Sequence, residues 1–201
     1  MVGDLYITGD PDADRLLNTD GLALLIGMLL DQQVPMEWAF MGPATLRTRL
    51  GHLDASSIAA MDEDEFVAVC CTKPAVHRFP GSLGRRIHAV CTEIVDRYQG
   101  QPERIWDEAA NGSDLHQRLR ALTGFGDEKA KIFIALLAKR QGVRPTDWEQ
   151  AAGVFADSTP RSVADIHDQA SLALVRTWKQ AQKAANKDKQ DRQLRSTGAS
   201  R

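Results

Sequence analysis

A chain of 201 residues with 43% hydrophobic and 26% charged residues has the balance of an ordinary globular domain, which excludes a fibrous or low-complexity protein. Three cysteines, two of them adjacent, exclude a disulfide framework and point to a reducing, cytoplasmic compartment. No membrane association is expected, because the longest apolar run, 22–30, is too short to span a bilayer and Met1-Val2-Gly3-Asp4 does not open a secretory leader. The net charge of −2 is unevenly spread: residues 176–201 hold eight Lys/Arg and two Asp/Glu, so this end carries +6 and the remainder −8. That end reads either as a solvated, frayed helix and tail or as an auxiliary phosphate-binding arm.

In chain order the pattern predicts helices and no strand. A short helix at Asp12–Leu17 precedes one that Asn18-Thr19-Asp20 can cap and that runs to Leu30. The second is apolar on every face and belongs in the middle of a core, with Gly27 permitting close approach of another helix. Two short helices follow near Pro35–Met41 and Pro43–Leu50, and Asp62 with Glu65 makes a capping-box-like start for a helix to about Cys71. Lys73–Pro80 is a loop in which His77-Arg78-Phe79 reads as rigid surface or as a stacking surface for a base. Ser82 opens a long helix with the stripe Leu83, Ile87, Val90, Ile94 and Tyr98, ended by Gly100. Ile105 and Trp106 mark a short helix. The pair Asp114–Leu122 and Asp127–Gln141 follows, then a restart near Asp147 and a last helix from Asp168 to about Asn186. Residues 187–201 read as a disordered basic tail, leaving 1–186 as a single helical domain.

The turn Leu122-Thr123-Gly124-Phe125-Gly126-Asp127-Glu128-Lys129-Ala130 is the most informative stretch. Two glycines permit positive φ and close approach, Phe125 would turn inward to lock the two helices, and the amides of the turn with those opening the next helix would face solvent together. Such a turn is either an ordinary helix–helix connection or a site for a phosphate oxygen.

Leu122–Ala130 resembles the Leu-Pro-Gly-Val-Gly-x-x-x-Ala hairpin of the helix-hairpin-helix (HhH-GPD) base-excision DNA glycosylases of the endonuclease-III and adenine-glycosylase type. Leu24–Val34 is similar to that family's buried helix ending in Leu-Leu-Ser-x-Gln-x, and the Gly81–Ile87 block with its helix to Gly100 resembles the helix before the hairpin. The three blocks agree in spacing and cover roughly residues 20–145. The resemblance implies an all-α, two-lobed fold acting as a monomer on double-stranded DNA with a damaged base, nucleoid-associated when bound. It implies that Gly124, Phe125 and Gly126 grip a phosphate through the turn, often with a bridging monovalent cation, and that Gln33 fills the gap left by a flipped nucleotide. The residues' own alternative for Gln32-Gln33 is a polar helix end capping its carbonyls.

Breaking an N-glycosidic bond builds oxocarbenium-like charge that a fixed carboxylate stabilises. On the family's spacing, that carboxylate is Asp147, nineteen residues after Glu128, and its alternative reading is a helix N-cap. Bifunctional members place a Schiff-base lysine where Glu128 stands, so a monofunctional enzyme is implied. Lys129 and Lys131 read as phosphate contacts or as solvated surface lysines. Cys70, Cys71 and Cys91 all precede the hairpin, which matches neither the four-cysteine iron–sulfur cluster of many members nor a zinc site, so no metal is expected. The reading is thus a monofunctional glycosylase, with two alternatives: a non-catalytic helix-hairpin-helix DNA-binding protein, or a helical scaffold without positive surface around 124–131.

Overall fold

The computed structural model describes residues 4–198, with side chains described over 4–185. Among the described residues every regular element is helical, and no helix is long and apolar enough to cross a membrane. The centre is α2 (Gly21–Leu30), capped by the Asp20 carboxylate, which accepts from the Ala23 amide. Residues 22–30 are all buried, as a helix apolar on every face requires.

Against α2 lies α3 (Met36–Leu50), and two glycines set the approach. A Cβ on Gly27 would stand 2.6 Å from Cδ1 of Phe40, and one on Gly42 would meet the Leu30 side chain. Each helix thus receives a large side chain of the other where it has none itself. This corrects one expectation: α3 is one helix of 15 residues with Pro43 inside it, not two short helices broken at Pro43. Proline removes one backbone donor, but burial of Phe40, Pro43 and Leu46 on both sides of it outweighs that loss.

Before this pair, α1 (Pro11–Thr19) is capped by Asp10. Its Asp14 and Asn18 side chains accept from the amides of Ile7 and Leu5, which holds the N-terminal segment on the core. A short α4 (Ala55–Ala59), opened by Asp54 and not anticipated from the sequence, precedes α5 (Glu63–Cys71), opened by Asp62. Both pack on α6 (Pro80–Tyr98), where the anticipated stripe Leu83, Ile87, Val90, Ile94 and Tyr98 is buried. The helix begins at Pro80 rather than Ser82, because a proline suits the first helical position. Cys70 and Cys91 are buried and their thiols are pushed up to about 12 by desolvation, so neither is a reactive thiolate.

After α7 (Arg104–Asp107) comes the hairpin of α8 (Gly112–Arg120) and α9 (Asp127–Leu136), the latter followed by a π-helical turn, 137–141, closed by Gly142 at φ 72°. α8 begins at Gly112, two residues before its expected start, with Asn111 as its cap. A one-turn α10 (Trp148–Ala152) packs on both hairpin helices. The last helix, α11 (Gln169–Gly198), buries Leu172 and Val175 near its start. Its backbone is helical through 187–198, where composition predicts an irregular tail. The side chains of that stretch and residues 199–201 lie outside the described residues.

Candidate nucleic-acid interface

The hairpin turn is built from both its glycines and its neighbours. Gly124 takes φ 83°, and a Cβ there would stand 2.5 Å from Cδ1 of Leu29, so the backbone is pressed against the end of α2. Thr123 donates through its amide and hydroxyl to the Glu93 carboxylate of α6, at 2.9 and 2.6 Å. Phe125 is 5% exposed and meets Phe133 edge-on, with ring centroids 6.0 Å apart. Its part is therefore to fold the turn; the expectation that it touches a partner does not match this burial. Gly126 has the opposite surroundings: it N-caps α9, a Cβ there would meet nothing within 4 Å, and no side chain caps the helix. The amides opening α9 are left to face outward.

Side-chain charge at this point is modest. Asp127 is held by Lys131 at 2.8 Å, and that hydrogen bond keeps its carboxyl below the ordinary value. His116 lies 3.0 Å from the other Asp127 oxygen. Lys131 is thus ion-paired and partly exposed. Lys129 is different from its expected place as a surface phosphate contact. Its Nζ turns inward and donates to the carbonyl oxygens of Met28 and Leu29, both at 2.7 Å. It caps the C-terminus of α2, and desolvation, only partly offset by Asp31, lowers its pKa to about 8. One helical residue of rotation from Glu128 is what sends this amine into the protein.

The turn after α2 then shows two glutamines with different tasks. Gln32 Nε2 donates to the Leu29 carbonyl at 2.8 Å, so it caps its own helix, and Arg86 of α6 reaches its Oε1. Gln33 takes the left-handed conformation, φ 57°, which few non-glycine residues adopt. Its side chain is exposed and has no hydrogen-bond partner among the described residues.

Gln33 stands at the rim of a cavity of about 900 Å³ between the end of α2, the start of α3, the first turns of α9 and one face of α11. Met28, Ile132, Phe155 and half-buried Trp178 supply apolar wall. The carboxylates in it are Asp31, Glu37 and Glu128. Asp31, with a side chain 12% exposed, lies 3.6 Å from Lys179, and Glu37 pairs with Arg176 at 2.5 Å. Arg161, paired with Asp157 at 2.6 Å, also lines the cavity, and its Nε is buried without a partner.

Asp147 lies elsewhere. It takes φ 57° before α10, is exposed, makes no capping bond with its side chain, and does not line this cavity. Its backbone packs on Gly112 at the start of α8. The structure therefore brings Gln33 and Lys129 to one cavity, sets Gly124 against the neighbouring end of α2 and Gly126 two residues before the Glu128 that lines the cavity, and places neither Lys131 nor Asp147 on it. Asp31, Arg161, Arg176 and Lys179 were missed by sequence reasoning. Asp31 is adjacent to the recognised Gln32-Gln33 pair, so its neighbourhood was visible; the three cations arrive from residues remote in the chain and carry no local signal. Asp165, a further buried carboxylate, is committed to structure by Lys139 at 2.6 Å and by the amides of Arg161 and Ser162. Among the described residues no group of His, Cys, Asp and Glu is placed to hold a metal ion.

Compared with known proteins, the chain matches no family model, no curated protein and no solved structure.

Proposed function

We propose that this protein binds double-stranded DNA through the α8–α9 hairpin and acts there in base-excision repair, as a monofunctional glycosylase of the helix-hairpin-helix type. The observation that carries this reading is the juxtaposition of three features: an uncapped helix start behind Gly126, an outward left-handed Gln33, and a cavity opening beside them. Backbone amides, rather than lysines, would hold the phosphate, because Lys129 faces inward and Lys131 is neutralised by Asp127. Gln33 would occupy the stack, and the cavity would receive the extruded nucleotide, whose unstacking costs about a few kcal/mol.

A glycosylase needs a carboxylate in that cavity, and Asp31 replaces Asp147 as the group that meets the need. It is shielded, two residues before Gln33, and fixed at the end of α2. A specific observation also favours a second reading, a DNA-binding protein without catalysis: the residue expected from spacing, Asp147, is exposed and away from the cavity.

Duplexes carrying single lesions (uracil, hypoxanthine, alkyl-adenine, oxidised guanine) separate the two by base release. Under the glycosylase reading wild type releases one of them, Asp31→Asn loses about a hundredfold or more in rate, and Asp147→Asn retains activity. Loss confined to Asp147→Asn would return catalysis to that residue. No release from any duplex, with binding intact, would establish the second reading. Released strands should stay unbroken until treated with alkali, since Glu128 has no amine; a borohydride-trapped adduct would contradict monofunctional chemistry.

A further inference from the structure

We propose that α11 is a phosphate clamp: its Arg176–Lys179–Lys183 face, with Arg161 beside it, closes the cavity through carboxylates of α2 and α3 and exchanges them for nucleic-acid phosphates. This rests on the DNA-binding reading and concerns α11 rather than the hairpin turn. The helix has 30 residues, about 45 Å at 1.5 Å per residue, and among its described apolar side chains Leu172 and Val175, in its first turns, are those buried in the core. Beyond them Arg176, Lys179 and Lys183, spaced three and four apart, lie on one face and line the cavity.

Two of these cations are held by anions across the cavity. Arg176 donates to Glu37 at the start of α3, Nε to Oε1 at 2.7 Å, and Lys179 lies 3.6 Å from Asp31. Both pairs are partly exposed, which makes them weak and salt-sensitive. Lys183 has no anionic partner among the described residues, and Arg161 Nε is buried without an acceptor on the same cavity. The four cations line one space, and among the described residues Lys183 has no anion of its own there. Duplex phosphates bring anionic oxygens, and their charge density competes directly with the Glu37 and Asp31 carboxylates for these cations. In the free protein Glu37 acts as an internal competitor for the clamp.

The test measures affinity for a fluorescent, lesion-free duplex over a salt series, with circular dichroism melts confirming that each variant folds. Removing the competitor by Glu37→Gln should tighten binding about three- to tenfold at low salt. The double variant Arg176→Gln/Lys183→Gln should weaken binding and reduce the slope of log Kd against log salt by about two phosphates' worth. Arg176→Lys should keep most of the affinity, since the charge remains. Gly126→Val, measured alongside, reports the hairpin separately. If Gly126→Val weakens binding while Glu37→Gln fails to tighten it, or the double variant leaves the slope unchanged, the clamp is overturned and the hairpin stands. If the clamp variants behave as stated while Gly126→Val binds like wild type, the hairpin reading falls instead. A wild type with no affinity for duplex overturns both.

Discussion

At the scale of residues, the two hairpin glycines differ in what holds them. Gly124 combines positive φ with a neighbour inside contact distance, so Gly124→Ala should destabilise the fold by about 2 kcal/mol. Gly126 has ordinary backbone and open space, so Gly126→Val should melt close to wild type while losing about tenfold or more in duplex affinity. A folded Gly126→Val with unchanged affinity would remove the hairpin from the interface. Lys129 offers a pH test. Burial lowers its pKa from the ordinary 10.5 to about 8, so the folded state releases this proton more readily than the unfolded chain. The associated stability is complete above about pH 10.5 and is lost as pH falls through about 8. Wild type should therefore gain stability relative to Lys129→Met between these values, read by urea melts at about pH 7 and about pH 10. A difference independent of pH would show the amine to be better solvated than its two carbonyl partners imply. Of the site, sequence reasoning reached Gly124, Gly126 and Gln33, because glycine and polar turn residues advertise backbone geometry. It misplaced Lys129, since a lysine in a helical first turn reads as solvated unless the carbonyls it reaches, those of Met28 and Leu29, are known to lie beneath it.

At the scale of elements, the α2–α3 contact is set by an absent side chain on each helix. Gly27→Ala improves helix propensity by about 1 kcal/mol, yet its methyl group would overlap the wholly buried Phe40 ring. The net effect should be a loss of about 1 kcal/mol or more, measured by thermal or urea unfolding, and Gly27→Ala with Phe40→Leu should recover part of it. An unchanged or raised melting temperature in the single variant would mean that the helices separate without penalty. Much of this level was legible from the chain. The all-round apolar run identified α2 as central, and the spacing from Leu83 to Tyr98 gave α6 its buried face. What misled was local punctuation: Pro43 suggested a break that packing overrides, and Ala55–Ala59 is too short to develop a period. The Arg176–Glu37 contact joins residues 139 apart, a separation that no local pattern encodes.

For the whole molecule, charge is divided between an acidic body and a basic last helix, so affinity for polyanions should depend on where that helix ends. Truncation before Lys187 should lower duplex affinity equally for all sequences and leave any lesion preference untouched, read as parallel shifts in Kd across a panel. A loss confined to one lesion would tie the segment to base recognition. The Lys129 bond to the end of α2 has one more consequence. With Gly124 pressed on Leu29 and Nζ fastened to Met28 and Leu29, the hairpin and the Gln33 turn form one stiff unit across two distant parts of the chain. Such a unit works as a gauge of fixed span. If the hairpin seats on a phosphate as proposed, Gln33 would reach only the nucleotide at one set offset along the strand. The molecule would thus inspect DNA one register at a time, and a single extra nucleotide between the two points would put the base out of reach without weakening the grip.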